Sequence, residues 1–591
     1  MVTAKTLGQS CKPRNEVLSG ELTDAMFAAR LNDVFQGKAH ETYQQPDQFF
    51  ANTYPTEEAK SFLRQALGRL SGKDPTANSM FRLGTTFGGG KTHTLIGLYH
   101  LVSSTPSPAV LSKLEIDPSI ILATKPKVVT VVGDDLNPSD GVEKGGVRVR
   151  NLWGEMAYQL GGRDGYMKVA DSDGITGRSP NADFLEELSG GQPLLIMIDE
   201  PAVYMRKMPN PGQLPAFMKA LSEWVDSSSN TVLVYTLAST ATSDGPPDAF
   251  AQETQELALA MGEVQSVLAR PERVVTPTQP RDIEPILRQR LFESVDIGAA
   301  EEVADAYFNA LQDAHAKEAP LPVKVLQASY RDELVRTYPF HPSFVEVLNG
   351  KLNTIPNFQR TRGALRLVSR IIRGLWNNNR TDGYLIHPFS ADLGSADMLD
   401  ELTGRLDRAA FRSVADADIS ASGGQAHAQV IDSDRFSGHA PYTQRAATTV
   451  FLHSLVEPPA RGADVDEVLA ATLTPTDDPS HIEKSLQYLA DDAWHLDYEG
   501  QRYFFQTEPS LNKIVIDETN TILVSDARSE VERRIRQTWQ NAGLSAVYFP
   551  SQAAGVDDRQ NGRLVITHWD SAEYSTNASE VPPLVQEIAD Y

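Results

Sequence analysis

The sequence predicts an α/β protein built on a largely parallel sheet, followed by helical and mixed segments. Three observations carry that prediction. Between about residues 76 and 295, short apolar runs alternate with helical periodicity, which is the pattern of βαβ units. A glycine-rich turn ending in Gly90-Lys91-Thr92 separates the first apolar run from an apolar helix. The run Leu194-Leu-Ile-Met-Ile does not alternate, as expected of a strand buried on both faces, and it ends in Asp199-Glu200.

Taken in order, residues 1–75 read as a helical N-terminal extension. One helical pattern carries Leu22, Phe27, Leu31 and Val34. Another begins at Thr56-Glu-Glu, a good helix start, and carries Phe62, Leu63, Leu67 and Leu70. The core at 76–295 has strand candidates at 80–83, 127–132, 194–198, 231–237 and 272–276. Helix candidates lie at 91–102, 152–160, 214–225, 248–268 and 281–292. Residues 296–380 show only helical periodicity and suit a helical lid. Residues 381–440, rich in Gly, Ser, Ala and Asp, read as an irregular linker or insertion. Residues 441–516 hold three helical patterns and then an alternating run broken by Glu499-Gly500, a hairpin signal, so a winged-helix-like domain is expected. Residues 517–591 read as a small C-terminal α/β unit: a helix at 527–542, then strands at 546–549 and 563–568. This unit is expected to be truncated at Tyr591.

Composition narrows the functions. With 54 basic and 78 acidic side chains the net charge is −24, which excludes a general polyanion binder. The single cysteine, Cys11, excludes a disulfide framework and any multi-cysteine zinc site, and suits the reducing cytoplasm. No apolar run approaches the roughly 20 residues that span a bilayer, so no membrane role is expected.

The chemistry concentrates in two motifs. In Phe81-Arg-Leu-Gly-Thr-Thr-Phe-Gly-Gly-Gly-Lys-Thr-His, glycines let backbone N–H groups turn around an anion, and the following helix adds its positive N-terminus. Gly84, Phe87, Gly88, Gly89, Gly90, Lys91, Thr92 and His93 are the candidate phosphate-binding residues. Lys91 would reach the β- and γ-phosphates, and the Thr92 hydroxyl would ligate Mg²⁺. The glycine that usually opens such a loop sits one residue early, at Gly84 rather than at position 85. In the second motif Asp199 would hold Mg²⁺ through a water and Glu200 would act as general base on the attacking water. ATP and Mg²⁺ are therefore the expected cofactors.

Weaker candidates surround these. Thr236, Ser239 and Thr240, at the end of the 231–237 strand, compete to orient the lytic water. Arg270 and Arg273 flank Pro271, where an arginine finger could reach a neighbouring subunit of a homo-oligomer, although an exposed arginine is the simpler reading. The stretch 351–380 holds Lys351 and six arginines with no acid. Arg362, Arg366, Arg370 and Arg373 share one helix face, and Arg362 is the best candidate to contact nucleotide from a lid. Pairing with acids elsewhere is as good a reading of that stripe, and holding a nucleic-acid backbone is a weaker one. Between 477 and 506 acids outnumber bases, so the winged-helix candidate is expected to dock protein rather than DNA.

These residues together resemble the AAA+ superfamily of P-loop ATPases. They are particularly similar to the large ATPases encoded beside DNA methylases in prokaryotic phage-defence islands, including bacteriophage-exclusion systems. The matching strings are CKPRNEVLSGEL, FFANTYPT, FGGGKTH, Ile198-Asp-Glu-Pro, YPFHPSF, FQRTRGALRLVSR and EPSLNKIV, in order over most of the chain. The resemblance implies an ATPase working with a DNA methylase or nuclease partner. A nucleotide-gated scaffold and a DNA translocase subunit are the alternatives.

Overall fold

The structure, a computed structural model, describes residues 4–21, 29–84, 89–174, 177–237, 250–265, 272–540, 543–557, 561–571 and 581–591. It forms two units, 1–508 and 509–591.

The first unit has the predicted α/β class. Its sheet contains β1 (Met80–Gly84), β2 (Lys127–Val132), β3 (Leu194–Asp199), β4 (Thr231–Leu237) and β5 (Arg273–Val275). The five strands are parallel and lie in the order β2-β3-β4-β1-β5. Every residue of β3 and β4 is buried, which is why these two runs lack alternation.

Alternate side chains nevertheless go to opposite cores. Leu194, Ile196 and Ile198 pack with Leu233 and Tyr235 on one face, where α3 (Leu152–Met167), α5 (Gln213–Ser227) and α6 (Ala251–Gln265) cover the sheet. Leu195 and Met197 join Val232, Val234, Phe81 and Leu83 on the other, under α1 (Glu57–Leu70) and α2 (Lys91–Ser103). Each such leucine contributes about 1.5–3 kcal/mol of burial. A short helix, α4 (Pro201–Lys207), follows β3 directly.

The N-terminal stretch divides between two cores. Phe49, Phe50, Phe62 and Leu67 pack against the sheet, whereas Leu7, Cys11 and Val17 join the helical core beyond residue 283. Cys11–Pro13 pairs antiparallel with Phe292–Val295 and ties the chain start to that region. The helical core contains α7 (Ile283–Leu291), α8 (Ile297–Ala316), α9 (Ala328–Thr337) and α10 (Thr361–Asn377).

Residues 381–440, expected to be irregular, are about half in helical turns. Helical turns run from Ala396–Leu399 into a wider turn at Asp400–Gly404, from Phe411–Val414 into Ala415–Ile419, and over His427–Arg435. Their apolar residues come in short groups (Met398, Leu399, Leu402 and Leu406, then Val414 and Ala415), too brief to register as helical periodicity yet fully buried.

Beyond them come α11 (Tyr442–Ser454), α12 (Val465–Thr472) and α13 (Pro479–Asp492). The antiparallel strands β6 (Ala463–Asp464), β7 (Leu496–Glu499) and β8 (Arg502–Phe505) stand in the order β6-β8-β7.

The second unit contains α14 (Leu511–Thr521), α15 (Val524–Trp539), the parallel pair β9 (Ser545–Tyr548) and β10 (Arg563–Ile566), and α16 (Pro583–Asp590). Among the described residues no helix is long and apolar enough to cross a membrane.

Candidate functional site

The strand order brings the two motifs together. β4 lies between β1 and β3, and all three run parallel, so their carboxyl ends share one edge. Leu83 pairs with Thr236, and Ile198 with Tyr235, one residue short of Asp199. Open α/β sheets bind ligands at this edge.

Gly90 caps α2 at φ 79°, and a side chain there would come within 2.9 Å of Thr278 Oγ1. A left-handed backbone and that close approach together call for glycine. Lys91 and Thr92 open the helix. The Thr92 hydroxyl donates to Asp199 Oδ2 at 2.8 Å. The Thr236 hydroxyl donates to Asp199 Oδ1 at 2.8 Å and accepts from the Glu200 N–H at 2.9 Å. One carboxylate thus joins the phosphate-loop helix to the middle strand.

Asp199 is 3% exposed. Burial raises its pKa, and the bonds from Thr92 and Thr236 and the charge of Lys91 oppose that without cancelling it. Glu200 is also raised, by burial first and then by Asp199 and Asp134, with Lys91 and Arg362 pulling the other way. Its backbone is left-handed, φ 54° and ψ 48°, a conformation costly for a non-glycine residue. Gly133, just after β2, makes room for it: a Cβ there would lie 2.1 Å from the Glu200 carbonyl oxygen. Asp134 beside it takes Lys207 Nζ at 2.9 Å.

Gly89, Gly90, Lys91, Thr92, Asp199, Glu200 and Thr236 line one cavity. Arg362, at the start of α10, lines it as well. Three residues that the sequence reading missed also line it: Tyr43, Thr53 and Arg290. Arg290 Nη2 donates to the Tyr43 hydroxyl at 3.3 Å. Their signal was weak, an aromatic stretch before α1 and an arginine on an ordinary amphipathic helix.

His93 lines the same cavity. Its ring packs toward the N-terminal helices: Nε2 meets Thr53 Oγ1 at 2.8 Å and the ring lies 4.5 Å from that of Phe49. Burial pushes its pKa down to about 3, so it is neutral and acts as packing. Gly84 ends β1, where its carbonyl accepts from Thr276 Oγ1 at 3.3 Å. Arg273 does not line the cavity. It pairs with Glu58 at 3.1 Å and with Ser61 Oγ at 3.0 Å. Arg366 and Arg370 are taken up by Glu401, at 2.9 and 3.1 Å, and Arg373 by Asp397 at 2.8 Å. The stripe is therefore matched by acids from the 396–404 turns, and those three arginines are not a phosphate-backbone track. Phe87, Gly88, Ser239, Thr240 and Arg270 lie outside the described residues.

Among the described residues no cluster of three or more His, Cys, Asp or Glu side chains could hold a metal. The Thr92 hydroxyl and Asp199 Oδ2, 2.8 Å apart, nevertheless have the spacing of neighbouring oxygens in an octahedral Mg²⁺ shell, about 2.9 Å for bonds of 2.0–2.1 Å. Two protein ligands with the rest from substrate and water is the usual Mg²⁺ arrangement.

Residues 6–270 match the family model described as the DUF499 N-terminal domain, and residues 279–485 the DUF499 second domain. No curated protein sequence matches. Among solved structures, the chain is similar to domain III of the Thermotoga maritima replication initiation protein DnaA (11% identity, 62% of this chain, 98% of that one, TM-score 0.24). It is also similar to the Aeropyrum pernix ORC2 protein in its ADPNP-ADP complexes (13%, 79% and 95%, TM-score 0.30). A third is the Thermotoga maritima RuvB Holliday junction branch migration motor (10%, 81% and 97%, TM-score 0.23).

Proposed function

We propose that this chain is an ATP-binding, Mg²⁺-dependent nucleoside triphosphatase of the AAA+ type. The observation that carries the reading is the Thr92–Asp199–Thr236 chain of hydrogen bonds at the carboxyl edge of the sheet, with Lys91 and Glu200 in the same cavity.

Each residue has a role its position supports. Gly89, Gly90 and the N-terminus of α2 supply N–H groups and partial positive charge to a phosphate. Lys91 adds a full charge. Thr92 and Asp199 would hold Mg²⁺, which when bound neutralises phosphate charge as a Lewis acid. Thr236 fixes both Asp199 and the Glu200 backbone, so that the Glu200 carboxylate stands ready to take a proton from water. The raised pKa of Glu200 strengthens it as a base near neutral pH. Arg362 enters from the lid helix, where it can respond to the phosphates.

The resemblance supports a place in a phage-defence complex with a DNA methylase or nuclease, and an ATP-dependent homo-oligomer. The three-stranded sheet packed with α11–α13 supports a winged helix within the 441–516 segment. Its acidic surface favours a protein partner over DNA. The pairing of Arg366, Arg370 and Arg373 with acids weakens the translocase alternative.

Phosphate release by the purified chain with ATP and Mg²⁺ tests this. Glu200→Gln is expected to lower turnover by about 10²–10⁴-fold while ATP affinity stays within about threefold. Turnover equal to the parent's would remove Glu200 from the reaction.

A further inference from the structure

Arg362 is presented by an unusual turn. Gln359 (φ 62°, ψ 34°) and Arg360 (φ 48°, ψ −120°) both have positive φ, and neither is glycine. Conformations of this kind are costly for residues other than glycine and persist where surroundings over-determine them. The turn is also tight: a Cβ on Gly363 would lie 1.8 Å from the Phe358 carbonyl oxygen.

A polar chain runs from this turn into the protein. Gln359 Oε1 accepts from Arg362 Nη1 at 3.4 Å and from Arg366 Nη1 at 3.5 Å. Arg366, 3% exposed, donates from Nε to Glu401 Oε1 at 2.9 Å. The other Glu401 oxygen faces Arg370 at 3.1 Å and Arg405 at 3.4 Å. Glu401 is 2% exposed and sits in a wide turn, where the Arg405 N–H reaches back five residues to the Asp400 carbonyl. Such π-turns recur at functional sites. One buried carboxylate thus holds three guanidinium groups, and without it Arg366 would be left buried beside like charges.

We propose that Glu401 is a positioning residue for the nucleotide site, acting through Arg366 and Gln359 to fix the strained turn that places Arg362. The proposal rests on the triphosphatase reading and adds a residue that touches no nucleotide. Arg366 belongs to the same chain: its buried end serves Glu401 and its other arm serves the turn.

The test is a double-mutant cycle on the full chain, read as kcat and KM for ATP. Glu401→Gln is expected to lower kcat about 10- to 100-fold, as a small misplacement of a site residue does, with KM within about threefold. In an Arg362→Ala background the same change should cost less than about twofold, because the residue it positions is already gone. Gln359→Ala, at an exposed position and leaving the Arg366–Glu401 ion pair in place, should show the same loss of effect. Melting temperatures accompany each variant. Losses that multiply in the Arg362→Ala background, or a folded Glu401→Gln protein with parental kcat, overturn the proposal and leave the site intact. A parent chain that releases no phosphate overturns the triphosphatase reading and this proposal with it.

Discussion

Asp199 and Asp418 are the same residue type, both buried, and their environments differ in kind. Asp418, 0% exposed, receives Nδ1 of His427 at 2.8 Å, Nδ1 of His495 at 3.1 Å, and the backbone N–H groups of Trp494 and His495 at 2.9 and 2.7 Å. Burial works to raise its pKa, but these bonds outweigh burial and hold it at about 2. Asp199 has two hydroxyl donors and the charge of Lys91, and burial wins. A carboxylate so fully satisfied is a structural clasp, here joining the 415–419 turn to His427 and the start of β7. A carboxylate left short of positive charge at the carboxyl edge of a sheet is suited to a cation that arrives with substrate.

The largest expected effect that separates them is on stability. Asp418→Asn should cost about 3 kcal/mol, because backbone N–H groups cannot turn away from an amide that replaces an acceptor. Asp199→Asn should cost less than about 1 kcal/mol, because Thr92 and Thr236 hydroxyls can rotate and donate or accept. Urea melts of both variants without nucleotide check this. Equal losses would erase the distinction.

Acid should sharpen it next. Asp418 has a lowered folded pKa, so its stabilisation is present above the ordinary aspartate value of 3.8 and is lost as pH falls toward about 2. His93, His387 and His453 are held neutral by burial at about 3 against an ordinary 6.5. Their unfolded forms bind more protons between those values, so stability is complete above about 6.5 and declines as pH falls toward 3. Melts across pH 3–8 should show that decline, and Asp418→Asn should remove only the part below about pH 4.

A smaller effect concerns turnover. Glu200 must be ionised to act as base, so kcat should fall as pH drops, with a midpoint above the 4.5 of an ordinary glutamate. A midpoint at or below 4.5 would place the proton acceptor elsewhere. Smallest of all, Arg273→Ala should change stability by no more than about 1 kcal/mol, since its pair with Glu58 is partly exposed, and turnover of the purified chain by less than about twofold. Collapse of turnover would restore the finger reading.

The same contrast explains what was legible in sequence. Asp199 and Glu200 announced themselves because β3 is buried on both faces, so its apolar run has no interruptions until the acids. Thr236 was visible as a polar strand end, but its partner was not. The expectation was a water-orienting hydroxyl, whereas the hydroxyl is committed to Asp199 and Glu200. Asp418 and Glu401 were invisible because most of their partners are distant in sequence: residues 494 and 495 for one, 366 and 370 for the other. The arginine stripe therefore looked unmatched, and the segment holding its acids looked irregular. His93 lines the cavity as its neighbours Lys91 and Thr92 led one to expect, but its packing against Phe49 was not legible, because Phe49 lies far back in the sequence.

The most direct test of the whole account is calorimetric titration of ATP with Mg²⁺ into the parent chain and into Lys91→Ala. The account predicts saturable binding to the parent and a loss of about 100-fold or more in affinity for the variant, the cost of removing the charged partner of the phosphates. Equal affinity in a folded Lys91→Ala protein would contradict it.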